Sequence, residues 1–244
     1  MSRYDAATAL VVVDVQNDFA DPAGSLAVAG AADIVGPIDD EIRAAQAAGA
    51  FVAYTQDWHP PHTPHFAIDG GQWPVHCVEE TWGAALHPAL TVDGPVVRKG
   101  SHGEDGYSGF TMRDPDSGDT TPTELEQLLR DRATERLVVC GLATDYCVKA
   151  TALDGVRLGF RTSVLADAVR AVDLEPGDGD RALDELRAAG VAIESGTLDT
   201  DTLERDVAAR ARAPETASPH VDAHGRAVDP RSARISDRHE GADR

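Results

Sequence analysis

Short apolar runs rich in β-branched residues recur along this 244-residue chain, and between them lie stretches whose apolar residues return every three or four positions. Alternation of the two periods leaves few architectures open, because a strand buried on both faces needs a crossover of helical length before the next can lie parallel to it. Strands are expected at residues 8–13, 51–56, 95–98, 137–140, 161–166 and 191–194. Helices are expected at 32–48, where Ile34, Ile38 and Ile42 share a face, at 123–133, where Leu125, Leu128 and Leu129 do, and at 145–158 and 178–189. The predicted fold is an α/β three-layer sandwich, a mainly parallel six-stranded sheet with helices on both faces.

The length suits one domain with a single core, assigned to residues 1–212. From 213 to 244 apolar residues thin out and Pro, His, Asp, Arg and Ser dominate, so that segment is expected to be a flexible polar tail. Two internal stretches fit no regular element: 57–91, dense in His, Pro and Trp, and 100–120, dense in Gly and Asp. Irregular segments of that length in a compact domain are functional or disordered, and the aromatics and histidines favour function for the first.

Charge narrows the partners. With Lys+Arg 22 against Asp+Glu 42, the net charge of -20 repels phosphate backbones and anionic membrane surfaces, so no nucleic acid and no membrane is expected. Cys77, Cys140 and Cys147 are too few and odd in number for a disulfide framework, which favours a reducing compartment. The chain runs straight into the apolar segment 9–13 without a basic leader, and no apolar run reaches membrane-spanning length. A cytoplasmic protein is expected, and a homo-oligomer is compatible with the sequence.

In an open parallel sheet, ligands lie beyond the carboxyl ends of the strands, where neighbouring loops meet. Strand one ends at Asp14, strand two at Asp57 and strand three at Lys99, and strand four leads through Gly141 to Cys147. Singly, each has a bland explanation, since an acid after a strand commonly caps a turn and a lone lysine is usually solvated. Four at one edge point to a common crevice.

Cys147 follows a buried strand and opens the helix expected at 145–158, with Thr144 or Asp145 available as its cap. Free amides and the helix dipole there would favour a thiolate and could hold an oxyanion. Cys140, inside the strand, reads as a small buried hydrophobe. A thiol that attacks a carbonyl needs a proton acceptor, and Asp14 is the obvious base, with Lys99 supplying the balancing charge.

The histidine-rich loop begins Asp57-Trp58-His59-Pro60-Pro61-His62-Thr63-Pro64-His65-Phe66 and later reads Trp73-Pro74-Val75-His76-Cys77. In extended chain Asp57 and His59 point the same way and can bind one ion, with His76 as a third ligand and His62 and His65 competing for a further position. Oxygen and imidazole donors suit one divalent transition metal ion: zinc, iron or manganese. Cys77, beside His76, should face away from it.

Together these segments, with Lys99-Gly100 and Asp105-Gly106-Tyr107-Ser108-Gly109-Phe110, resemble the isochorismatase-like hydrolases over residues 7–197, and most closely the nicotinamidase branch. That resemblance implies a catalytic triad of Asp14, Lys99 and Cys147, and a metal held by Asp57, His59 and His76, with His65 as an added ligand. It implies a cis peptide between Leu142 and Ala143, and an oxyanion hole from the Ala143 and Cys147 amides. Phe19, Trp73 and Tyr107 match the walls around a pyridine ring, so nicotinamide is the implied small-molecule substrate and a thioester the implied intermediate. Alternatives are an amidase of the same family acting on a carbamoyl or ureido amide, and a non-catalytic metal-binding module.

Overall fold

The computed structural model describes residues 3–195, and the tail expected at 213–244 lies outside them. In chain order the elements are β1 (Thr8–Val13), α1 (Asn17–Ala20), α2 (Ala31–Ala47), β2 (Phe51–Asp57), β3 (Val96–Lys99), β4 (Thr111–Arg113), β5 (Thr120–Pro122), α3 (Leu125–Asp131), β6 (Arg136–Leu142), α4 (Lys149–Arg157), β7 (Arg161–Arg170), α5 (Asp178–Ala188) and β8 (Ala192–Glu194). Six strands form one parallel sheet in the order β3-β2-β1-β6-β7-β8. The order reverses between β1 and β6, which start neighbouring crossovers on opposite sides and so open a crevice at their carboxyl ends.

β1 is buried along its whole length, which is why it reads as an unbroken apolar run rather than an alternation. Leu10 and Val12 face α2 and its Ile34, Ile38 and Ile42. Ala9, Val11 and Val13 face the opposite layer, with Leu125 and Leu129 of α3, Ala152 of α4 and Leu186 of α5. The expected three-layer sandwich is therefore present, helices covering both faces. Among the described residues no helix is long and apolar enough to cross a membrane.

Stretch 100–120 is less irregular than its composition suggests. β4 and β5 pair antiparallel, Thr111 opposite Pro122 and Arg113 opposite Thr120, across a turn in which Asp114 accepts the Ser117 and Asp116 N–H groups. The Gly and Asp content that read as loop serves the turn and hides two three-residue strands.

Gly141 near the end of β6 could be no other residue. Its φ is +116°, and a Cβ there would lie 2.1 Å from the Val13 carbonyl oxygen of β1. The close approach lets β6 swing past the end of β1 and deliver the following turn to the crevice.

Candidate active site

β1 stops at Asp14, whose φ of +48° turns the chain out of the sheet. Aspartate tolerates this left-handed conformation better than most residues, and the turn aims its carboxylate across the strand ends. Thr55 of β2 donates its hydroxyl to Asp14 Oδ1 at 2.6 Å and accepts the Asp14 N–H at 3.2 Å. Lys99, the last residue of β3, places Nζ 2.9 Å from Asp14 Oδ2 and 3.6 Å from Cys147 Sγ, and also bonds Asp57 Oδ1. One oxygen of Asp14, one oxygen of Asp57 and the Cys147 sulfur all lie within 4.8 Å of one another. The base, lysine and thiol picked out at separate strand ends thus meet in one buried cluster.

Cys147 does not sit in the first turn of an ordinary helix. Residues Thr144–Val148 form a π-helical turn that runs into α4, and Ala143 stands at its start without a side-chain cap. Neither Thr144 nor Asp145 serves as the expected cap. Asp145 reaches instead to the strand-end loop after β7, accepting the Val172 and Asp173 N–H groups at 3.0 Å each. The peptide between Leu142 and Ala143 is cis, as the resemblance implied.

The expectation of a resting thiolate is corrected here. Burial pushes the Cys147 thiol well above its ordinary range; the nearby Lys99 charge opposes this, and the Asp14 and Asp57 carboxylates reinforce it. Burial likewise raises the Asp14 carboxyl, with Lys99 restraining the shift. Lys99 is held well above the usual lysine range, because two carboxylates outweigh its burial. Asp57 stays well below the usual carboxylate range, since Lys99 and His59 overcome its burial. The cluster therefore combines a protonated thiol with a carboxylate made more basic beside it.

Ligating atoms of His59, His65 and His76 gather within 4.8 Å of one another. Asp57 approaches the same centre, its Oδ2 lying 3.8 Å from His59 Nε2. Both ring nitrogens of His59 are buried without a hydrogen-bond partner, a costly arrangement that a cation would relieve at one of them. His76 Nδ1 lies 2.7 Å from the Pro74 carbonyl oxygen, so Nδ1 carries the proton and Nε2 is left to ligate. Burial lowers His65 to about 3 and lowers His76 as well, keeping both imidazoles neutral. The donor set fits a divalent transition ion. Between the two candidates left open by spacing, His65 joins the group, while His62 points to solvent and pairs with Asp69. Cys77 faces away, buried in the apolar core on the α2 side.

Above the thiol lies a mostly apolar cavity lined by Phe19, Trp73 and Tyr107 together with Asp57, His65, His76 and Cys147. Trp73 Nε1 donates to Tyr107 Oη at 3.2 Å, and Tyr146 packs edge-on to both rings. Leu26, Val28, Val172 and Tyr146 also line it, and sequence reasoning gave none of them a role. Nor did it single out Thr55. Its position two residues before the end of β2 was the available signal, visible only once Asp14 is known to turn across toward it.

The isochorismatase domain profile matches residues 8–197. Nicotinamidase of Escherichia coli is 38% identical over 203 residues, covering 76% of this chain and 93% of that protein. The nicotinamidase/pyrazinamidase of Mycobacterium tuberculosis is 39% identical, covering 76% and 97%. Among solved structures, the pyrazinamidase of Pyrococcus horikoshii in complex with zinc superimposes with a TM-score of 0.69 at 37% identity, covering 78% of this chain and 99% of the other.

Proposed function

The chain belongs to the isochorismatase family, and from that membership we propose that it is a nicotinamidase, a cysteine amidohydrolase converting nicotinamide to nicotinate and ammonia. What carries the reading is the Cys147 sulfur at 3.6 Å from the Lys99 ammonium and within 4.8 Å of an Asp14 oxygen, at the base of an aromatic-walled cavity.

Asp14 takes the Cys147 proton as the sulfur attacks the carboxamide carbon, a pairing favoured by a carboxylate raised by burial and a thiol that does not ionise by itself. Lys99 keeps the base anionic before the transfer. The backbone N–H groups of Ala143 and Cys147 donate to the developing oxyanion. Asp14 then returns the proton to the departing nitrogen, the C–N bond breaks, and ammonia leaves behind a thioester. Asp14 next deprotonates a water that attacks the thioester carbon, the C–S bond breaks as the proton returns to sulfur, and the nicotinic acid released ionises to nicotinate. Phe19, Trp73 and Tyr107 hold the ring so that the carboxamide faces the thiol.

Asp57, His59, His65 and His76 would hold one divalent ion, zinc, iron or manganese. When bound, it supplies a Lewis-acid anchor for the pyridine nitrogen and a site for water. The zinc complex of the Pyrococcus horikoshii relative supports such an ion here. The cytoplasm is the proposed location, consistent with Cys77, Cys140 and Cys147 all being free thiols.

The test is ammonia release from nicotinamide by purified protein, with Cys147→Ala as the blank. Release by the wild type alone is the expected outcome. Equal release by Cys147→Ala would overturn the nucleophile, and none from either would overturn the substrate.

A further inference from the structure

By turning out of the sheet at Asp14, β1 abandons the ladder one step before β2 ends. Asp57, the last residue of β2, would then keep a backbone N–H and C=O on its β1 side with no strand to bond. Gln16 supplies both. Its Oε1 accepts the Asp57 N–H at 2.8 Å, and its Nε2 donates to the Asp57 carbonyl at 2.7 Å and to the Ala84 carbonyl at 2.9 Å. The amide is fully buried and stands in for the missing strand.

Two residues on, Asp18 does the same for the other side of the histidine cluster. Its Oδ2 accepts the Cys77 N–H at 2.7 Å and its Oδ1 the Ser25 N–H at 3.0 Å. Cys77 has a φ of +46°, an unfavourable conformation that needs an external hold, and it directly follows His76. Gly83 packs so closely that a Cβ there would come 2.1 Å from the Asp18 carboxylate, so a larger residue would displace it. Phe19, the next residue, rests its ring 5.4 Å from that of His76.

We propose that Gln16 and Asp18 are positioning residues for the ion-binding cradle, Gln16 fixing Asp57 and Asp18 fixing the His76–Cys77 turn, so that the segment carrying the base also sets the affinity for the ion. The inference rests on the metal reading above. Neither side chain touches substrate or ion. Each acts through a backbone group, and the shared segment makes the placement of the base and that of the ion one structural unit.

The experiment is calorimetric titration of full-length, chelator-stripped protein with Co²⁺, with the visible absorption of the bound ion recorded. Gln16→Glu keeps the acceptor for the Asp57 N–H but sets a carboxylate against two carbonyl oxygens. Asp18→Asn faces one of its two N–H partners with a competing donor. Either variant should raise the Co²⁺ dissociation constant by roughly 10- to 100-fold and alter the absorption bands. Ile42→Ala, which opens a cavity in the core under α2, serves as the control for a merely destabilised fold and should keep wild-type affinity and spectrum. Should one variant fail to fold, the other carries the test by itself. Wild-type affinity and bands in both variants, or an equal loss in Ile42→Ala, would overturn the inference. A wild-type protein that takes up no Co²⁺ would overturn the metal reading and this proposal with it.

Discussion

Lys99 Nζ stands 2.9 Å from Asp14 Oδ2, with both side chains buried and the Cys147 sulfur 3.6 Å from the same nitrogen. The lysine also bonds Asp57, so a single ammonium balances two carboxylates. Removing it leaves both acids in a dry pocket, and the cost of an uncompensated buried charge is about 3–5 kcal/mol. Lys99→Met should therefore lower unfolding stability by about 3 kcal/mol, and burial, no longer opposed by the ammonium, should raise the Asp14 carboxyl further. Its kcat/KM should fall by roughly 100-fold or more, with any residual activity showing an acid limb shifted to higher pH. A variant with wild-type kcat/KM would refute the assigned role.

Two histidines three residues apart are expected to behave oppositely. His65 lies in the imidazole group and lines the cavity, whereas His62 is exposed. His65→Asn should raise the KM for nicotinamide and weaken ion binding by roughly tenfold or more, and His62→Asn should leave both unchanged. Removing the ion with a chelator should reproduce the KM effect in the wild type, and re-addition should reverse it. Identical steady-state kinetics in verified metal-free protein would defeat the ion's role.

Gly100 and Gly103 allow a backbone effect to be separated from a contact with His59. Both have positive φ, +82° and +89°, so either substitution by alanine carries conformational strain. At Gly100 the new Cβ would sit 2.6 Å from His59 Nδ1, whereas at Gly103 it would meet nothing within 4 Å. Both variants should lose about 1 kcal/mol of stability. Only Gly100→Ala should also raise the KM and lower ion affinity, because only it pushes aside a ring of the proposed ion-binding group. Matching kinetic profiles for the two would show that the contact with His59 has no consequence.

How much of this was legible in the sequence depends on how local each feature is. The unbroken apolar run of β1 and the helical spacing of Ile34, Ile38 and Ile42 report burial directly, and the sheet followed from them. Asp14, Asp57, Lys99 and Cys147 were legible because strand ends in a parallel sheet converge by topology, whatever the side chains. Their local settings were not. Nothing local announces the π turn at Cys147, and Asp145 finds its partner in the loop after β7, 27 residues away in sequence. The cavity wall of Leu26, Val28 and Val172 comes from loops that carry no motif. The resting state of the thiol was misjudged because the favourable end of a helix is a local property, while burial under Asp14 and Asp57 is a tertiary one.

The same burial sets how stability should vary with pH in the chelated protein. An unfolded histidine takes up a proton near 6.5, but folded His65 resists it down to about 3, through burial and then the neighbouring His59. Between those values the unfolded chain binds the extra proton, so stability present above pH 6.5 is lost as pH falls. His76, lowered mainly by burial, acts in the same direction. Asp14 opposes them: its raised carboxyl keeps a proton that the unfolded chain releases near 3.8, which costs stability at neutral pH and is relieved in acid. At the alkaline side, folded Cys147 keeps its proton above the ordinary value of 9.0, so stability declines as pH rises past that point. The thermal midpoint should accordingly form a plateau between about 6.5 and 9 and fall on both sides. His65→Gln should flatten the acid limb, and Cys147→Ser should remove part of the alkaline one, which Cys77 and Cys140, both raised by burial, share. Acid loss that begins only below pH 4 in the wild type, or an acid limb unchanged in His65→Gln, would show that the imidazole cluster does not govern it.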